Sequence, residues 1–274
     1  MPPSVRAPRA QVPTRSTGCA PDRAGWVGLA RLALAVAVCG CLALALWPLP
    51  AAAGETVQGS GRVASESRTL PAFDAVSVVG NMDVVLRQGS PQSVRVEADD
   101  NLLSLLRTDV RSKGEASTLQ IRWADGTSIR TRTTTRVTVV LTSLSALSLS
   151  GSGDARIEGL RTPRLQLTAS GSGDVRVDAL ETAELSVRMA GSGDVSASGS
   201  ATRLDARLAG SGDLHLGDLR VDDARVRVAG SGDVAVQALK SLDAEVAGSG
   251  DVTYSGEPTV RSRVLGSGSV RRGR

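Results

Sequence analysis

From about residue 146 onward, apolar and polar positions alternate with a period of two, and a short glycine-rich turn resets the alternation. Stretches such as "VRMAGSGDVSAS" and "RVRVAGSGDVAVQ" carry the pattern. Two residues before each turn glycine stand Leu149, Ala169, Met189, Leu208, Val228, Val246 and Val264. Four before it stand Leu147, Leu167, Val187, Ala206, Val226, Ala244 and Ser262. Directly after the turn aspartate come Ala155, Val175, Val195, Leu214, Val234 and Val252, with a further apolar position two residues on. Leu160, Leu180, Leu219 and Leu239 form another apolar set, six after the aspartate. Period-two alternation bounded by glycine turns predicts β-strands with one face buried.

The turn itself recurs. Its opening glycines are Gly151, Gly171, Gly191, Gly210, Gly230, Gly248 and Gly266, at steps of 20, 20, 19, 20, 18 and 18. Each unit therefore reads strand, GSGD turn, strand, second turn. One such unit cannot bury its apolar face alone, whereas stacked units can. The expected fold is all-β: a right-handed parallel β-helix, or solenoid, of rungs about 18–20 residues long. An antiparallel sandwich also has short, evenly spaced strands. It gives no reason for identical turns to recur once per two strands in constant phase.

Upstream the pattern is less regular. "FDAVSVVGNMDVVLRQG" reads as a first, divergent rung, with Gly80-Asn81-Met82-Asp83 in place of GSGD. "SVRVEADDNLLSLLRTDV" predicts a strand and then one short helix, while "STLQIRWADG" and "TTTRVTVVLTSL" predict two more strands. The arginine-threonine run between those two reads as a solvated strand or loop. Residues 54–70 are expected to be a linker, 71–145 irregular first rungs and 146–270 the repeat proper, all one domain.

Composition changes the picture at the N-terminus. Residues 1–53 hold five arginines, an apolar run from Leu29 to Leu49, and then Ala51-Ala52-Ala53. A basic segment, an apolar core and a small-residue site predict a signal peptide, cleaved after Ala53. The rivals are an uncleaved anchor helix, because the apolar run is about as long as a membrane span, and a lipoprotein signal, for which Val38-Cys39-Gly40-Cys41 is a poor lipobox. All three cysteines (Cys19, Cys39, Cys41) lie in this leader, so the remainder must hold together without disulfides. The net charge of +4 also leaves with it, and 27 basic residues then balance 27 acidic ones. No nucleic-acid partner is expected from that balance, and a membrane is expected only through the leader if it stays uncleaved. Beyond the leader stand one Phe (Phe73), one Trp (Trp123), one Tyr (Tyr254) and one His (His215). That scarcity speaks against aromatic binding platforms for single strands or sugars.

The GSGD turn is open to three chemistries. A phosphate-cradling loop opens a helix, but here a strand follows, and an aspartate would repel the anion. Calcium is the second, held by a ladder of Asp154, Asp174, Asp194, Asp213, Asp233 and Asp251. Neighbouring rungs stand about 4.8 Å apart, at which two carboxylates repel by about 0.9 kcal/mol in water and about 3.5 kcal/mol at a dielectric of 20. Cations would offset this. So would backbone N–H groups bonded to each aspartate, with the serine capping further groups; this structural reading is preferred. Gly151, Gly171, Gly191, Gly210, Gly230 and Gly248 would then serve the turn through positive φ. No catalytic residues and no cofactor are expected. The aspartates repeat rather than cluster, and His215 stands alone at an outward position.

"FDAVSVVGNMDVVLRQG", "VRVEADDNLLSLLRTDV" and serial "SGSGDVRV" units together resemble the head GIN domain family, whose description is "putative auto-transporter adhesin". The resemblance spans about 70–258. It implies an extracytoplasmic β-helical domain, periplasmic, cell-surface or secreted, and supplies no catalytic residues. No translocating barrel follows "SVRRGR", so self-translocation is not expected. The expected function is a non-catalytic adhesin or envelope scaffold binding an unidentified surface ligand. The alternatives are a carbohydrate-active or carbohydrate-binding β-helix, and a membrane-tethered envelope sensor.

Overall fold

The computed structural model describes residues 55–113 and 116–273; the expected leader lies outside them. The strands, in chain order, are β1 (Glu55–Gln58), β2 (Val63–Arg68), β3 (Ala75–Gly80), β4 (Asp83–Gln88), β5 (Ser93–Asp99), β6 (Leu106–Lys113), β7 (Ala116–Trp123), β8 (Thr127–Arg130) and β9 (Arg136–Leu141). The repeat continues with β10 (Ala146–Gly151), β11 (Ala155–Gly171), β12 (Val175–Gly191), β13 (Val195–Gly210), β14 (Leu214–Gly230), β15 (Val234–Gly248), β16 (Val252–Ser255), β17 (Thr259–Gly266) and β18 (Val270–Arg272). The fold is an all-β solenoid of about six turns.

From β10 onward every pairing is parallel and each glycine corner lies on the next: Gly151 on Gly171, then Gly191, Gly210, Gly230, Gly248 and Gly266. The divergent rung takes its place in the same stack. Gly151 pairs with Gly80, and Ala155 pairs with Val84. The predicted second turn is not a break. β11 to β15 each run unbroken for 15 to 17 residues from one GSGD corner to the next. Bending is absorbed by register shifts, as between Val177 and Leu180.

The inward columns form one continuous core, in which Leu165, Val187, Ala206, Val226 and Ala244 are each 2% exposed or less. Leu160, Leu180 and Leu219 are buried as predicted, but Leu239 is exposed. Its rung steps by 18 residues rather than 20, so Ala238 pairs with Val221 and takes the inward place.

The region before residue 146 departs further from expectation. Residues 54–70 are not a free linker: β1 pairs with β8, and β2 runs antiparallel to β5. β7 and β9 stack beneath β3 and β4 as an additional rung. β6 and β5 then run antiparallel to β7 and β9. The helix expected after β5 is a single turn, closed by Leu102 N–H to Asp99 carbonyl at 2.8 Å and Leu106 N–H to Leu102 carbonyl at 3.2 Å. Leu102 and Leu106 are both buried, and Leu106, the first residue of β6, joins the continuous core.

Candidate functional site

The corner explains its own sequence. The first glycine of each GSGD has φ between +122° and +149°, a region costly for a side-chain-bearing residue. The second glycine does not need positive φ. A Cβ on Gly173 would overlap the carbonyl oxygen of Gly153, and one on Gly193 would overlap that of Gly173. Close stacking thus requires the second glycine where local conformation does not. The carbonyl of Gly151 accepts two bonds from the next corner, from Ser172 N–H (3.0 Å) and Gly173 N–H (3.2 Å), and each rung repeats this. The serine acts through its backbone. Its side chain is exposed at Ser152, Ser172, Ser192, Ser211, Ser231 and Ser249, and the capping role expected for it is not seen.

The aspartates form a single file in which each Oδ1 accepts the amide N–H of the aspartate one rung later. Asp174 N–H donates to Asp154 (3.0 Å), Asp194 to Asp174 (2.8 Å), Asp213 to Asp194 (2.9 Å), Asp233 to Asp213 (2.8 Å) and Asp251 to Asp233 (2.8 Å). The donors therefore come from the neighbouring rung rather than from the aspartate's own turn. A charge-assisted bond from an amide at every step opposes the repulsion between carboxylates. Two members were missed in the sequence. Asp83 accepts from Asp154 N–H at 3.3 Å, and the Gly80-Asn81-Met82-Asp83 alignment was the signal for it. Ser269 closes the file: its N–H and its hydroxyl both donate to Asp251, at 2.8 and 2.9 Å.

At Asp194 and Asp251 the second oxygen, Oδ2, faces a basic side chain. A residue two positions past the following corner residue can reach it diagonally. Arg271 does so to Asp251 at 3.5 Å, and His215 Nε2 lies 4.0 Å from Asp194 Oδ2. His215 is therefore not isolated: it stands across the corner from Asp194 and Asp213, and one donor atom from each of the three lies within 4.8 Å of the others.

Beside the corner, on the strand leading into it, lies a flat exposed face. Its outermost column is Ser150, Ser170, Ala190, Ala209, Ala229 and Ala247. Next to it runs Arg188, Arg207, Arg227 and Glu245, and the two columns border a shallow depression of about 480 Å³. Ion pairs link rungs across the outer columns. Asp205 takes Arg207 of its own strand (2.9 Å) and Arg227 of the next rung (3.6 Å). Arg203 and Arg164 both donate to Glu184 and hold its carboxyl below the usual carboxylate range. Exposed pairs of this kind contribute about 0–1 kcal/mol each, so they set the charge texture of the face more than its stability.

One charge is deeply placed. Asp99 is fully buried between Gly59 and Gly61, which follow β1, and the threonine-rich loop at Arg132 and Thr133. Burial pushes its carboxyl up, but N–H donors from Arg132 (3.0 Å), Gly61 (2.8 Å) and Thr133 (3.4 Å) outweigh it, and the net shift is downward. Gly59 is required here too, since a Cβ would overlap the Asp99 carboxylate.

Residues 72–258 match the family model described as "Putative auto-transporter adhesin, head GIN domain". The solved structure of a "putative adhesin" from Bacteroides fragilis is 25% identical, with a TM-score of 0.73, and the match covers 79% of this chain and all of that one. A "putative adhesin" from Parabacteroides distasonis is 26% identical with a TM-score of 0.65, over 80% of this chain and all of that one. A "putative lipid binding protein" from the same species, 24% identical with a TM-score of 0.67 over the same shares, has the same fold. No curated protein matches the chain.

Proposed function

The chain belongs to the family described as "Putative auto-transporter adhesin, head GIN domain", and from that premise we propose that it is an exported, non-catalytic adhesion domain of the cell envelope. The observation that carries this reading is the flat face beside the corner. Exposed Ala190, Ala209, Ala229 and Ala247 lie in register at successive rungs, flanked by Arg188, Arg207 and Arg227. A rigid, open sheet face of small residues bordered by arginines suits contact with an extended surface rather than enclosure of a small molecule. Its rigidity comes from the parallel ladder beneath, so contact would cost little ordering.

Localisation follows the leader in this reading. Cleavage after Ala53 releases a domain beginning at Gly54 into an extracytoplasmic space, which mass spectrometry of the mature N-terminus checks. The functional test is adhesion of beads coated with the purified protein to isolated cell envelopes and to a glycan array. Ala209→Glu and Ala229→Glu, both on exposed positions, should abolish retention while leaving the melting curve intact. Retention that survives both substitutions overturns the assignment of the face. Release of reducing ends from a bound glycan overturns the non-catalytic reading.

A further inference from the structure

The outward position diagonal to each ladder carboxylate is basic toward both ends of the stack and not in the middle. In register across the rungs it reads Arg156, Arg176, Ser196, His215, Ala235, Thr253 and Arg271. Arg271 reaches the ladder carboxylate of Asp251 at 3.5 Å, whereas Arg156 and Arg176 turn to Asp178 at 2.7 and 3.0 Å. In the middle, small neutral side chains flank the single imidazole of the chain. There, Asp194, Asp213 and His215 bring an imidazole nitrogen and two carboxylates to within 4.8 Å of one another.

We propose that His215, Asp194 and Asp213 form a surface site for a divalent metal of the zinc type, whose charge offsets the two stacked carboxylates. The donor set is mixed. One neutral imidazole and two carboxylates match a borderline ion such as zinc, and an oxygen-only cation such as calcium would not need the histidine. The carboxylates are held in place for the task. Asp194 Oδ1 accepts Asp213 N–H at 2.9 Å and Asp213 Oδ1 accepts Asp233 N–H at 2.8 Å, which leaves the outer oxygens for the ion. Such outer-shell bonds orient ligands and tune affinity. Bonds of about 2.0–2.2 Å to zinc require the donors to close by about an ångström. Rotation of the exposed His215 side chain, 58% accessible, supplies this closure. Water completes the coordination. The site is independent of the adhesion face and stands whether or not that face binds.

Calorimetric titration of the purified, chelator-treated chain with zinc is the test. One equivalent should bind, and the sole imidazole resonance in the NMR spectrum should shift in step with it. His215→Ala and Asp213→Asn should each weaken binding at least about tenfold. Asp154→Asn, in the same ladder but away from the imidazole, should leave binding unchanged. The metal-free melting curve of His215→Ala should overlay that of the parent, because the side chain is exposed. No binding by the parent, full binding by His215→Ala, an equal loss in Asp154→Asn, or an unmoved imidazole signal each overturns the proposal.

Discussion

Val246 and Val264 occupy the same inward column, two residues before a turn glycine, yet Val246 is 0% exposed and Val264 is 38% exposed. The difference is the neighbour. Val246 has a rung on each side, whereas among the described residues nothing pairs beyond β17 and β18. The opposite end is treated differently. There, β5 and β6 lie antiparallel against the lowest parallel rung, and Val96, Leu106 and Leu119 are 1% exposed or less. Trp123 adds its indole at the start of the corner stack, beside Gly80 and hydrogen-bonded to Asn81 at 3.0 Å. In a solenoid, burial is a property of adjacent pairs, so one residue type in one column carries different weight along the axis.

Substitutions paired across this divide test it. The largest contrast should come from glycine. Gly191→Ala places a Cβ against a packed backbone at a φ of +149°, and should cost about 4 kcal/mol or more. Gly266→Ala, in the terminal rung, should cost less than half of that because the rung can shift. Equal losses in a denaturant titration would show that the terminal rung is as rigid as the interior.

Leu185→Ala, at a core position 2% exposed, should cost about 3 kcal/mol. Val264→Ala should stay within about 0.5 kcal/mol. A large effect at Val264 would mean that its exposed face is covered in solution.

The capped end has its own probe in Asp99→Asn, which should cost about 2 kcal/mol at neutral pH by turning an acceptor of backbone N–H bonds into a donor. The folded pKa of Asp99 is lowered, so its contribution is complete above the unfolded carboxylate range and fades as pH falls through the folded value. The penalty of Asp99→Asn should therefore shrink in strong acid. A penalty that is constant from neutral pH to strong acid would remove the charge from the explanation.

The smallest contrast lies in the ladder. Asp194→Ala strips the acceptor from Asp213 N–H and should cost about 1.5 kcal/mol. Asp251→Ala, which frees Ser269 and Arg271 in the terminal rung, should cost less. Amide hydrogen exchange at Asp213 and Ser269 reports each directly, and equal protection loss at the two would contradict the contrast.

These contrasts also mark what the sequence could convey. The columns, the rung steps and the divergent rung at Gly80 were legible because each is written locally, by alternation and by a repeated turn. The antiparallel closure was not. β7 and β9 reach β3 and β4 only after a long excursion, and local periodicity carries no information on such pairing. Leu239 was misassigned because counting from the aspartate assumes a constant rung, and this rung is two residues short. The leading glycine of GSGD was readable from conformation, but the second answers to the carbonyl of another rung. Among candidate residues, the aspartates were readable as a file. Their donors, and the place of His215 beside two of them, required the diagonal offset between rungs.

The aspartate file also has a beginning and an end. Asp83 opens it with its amide already bonded to the Thr135 carbonyl at 2.9 Å, and Ser269 ends it by turning its hydroxyl back to Asp251. Every link between runs one way, amide to preceding carboxylate, so the row grows like a chain reaction with an initiator and a terminator. A further copy of the motif after Ser269 would find no carboxylate waiting for its amide. Between Asp83 and Ser269 the polarity of the row never reverses.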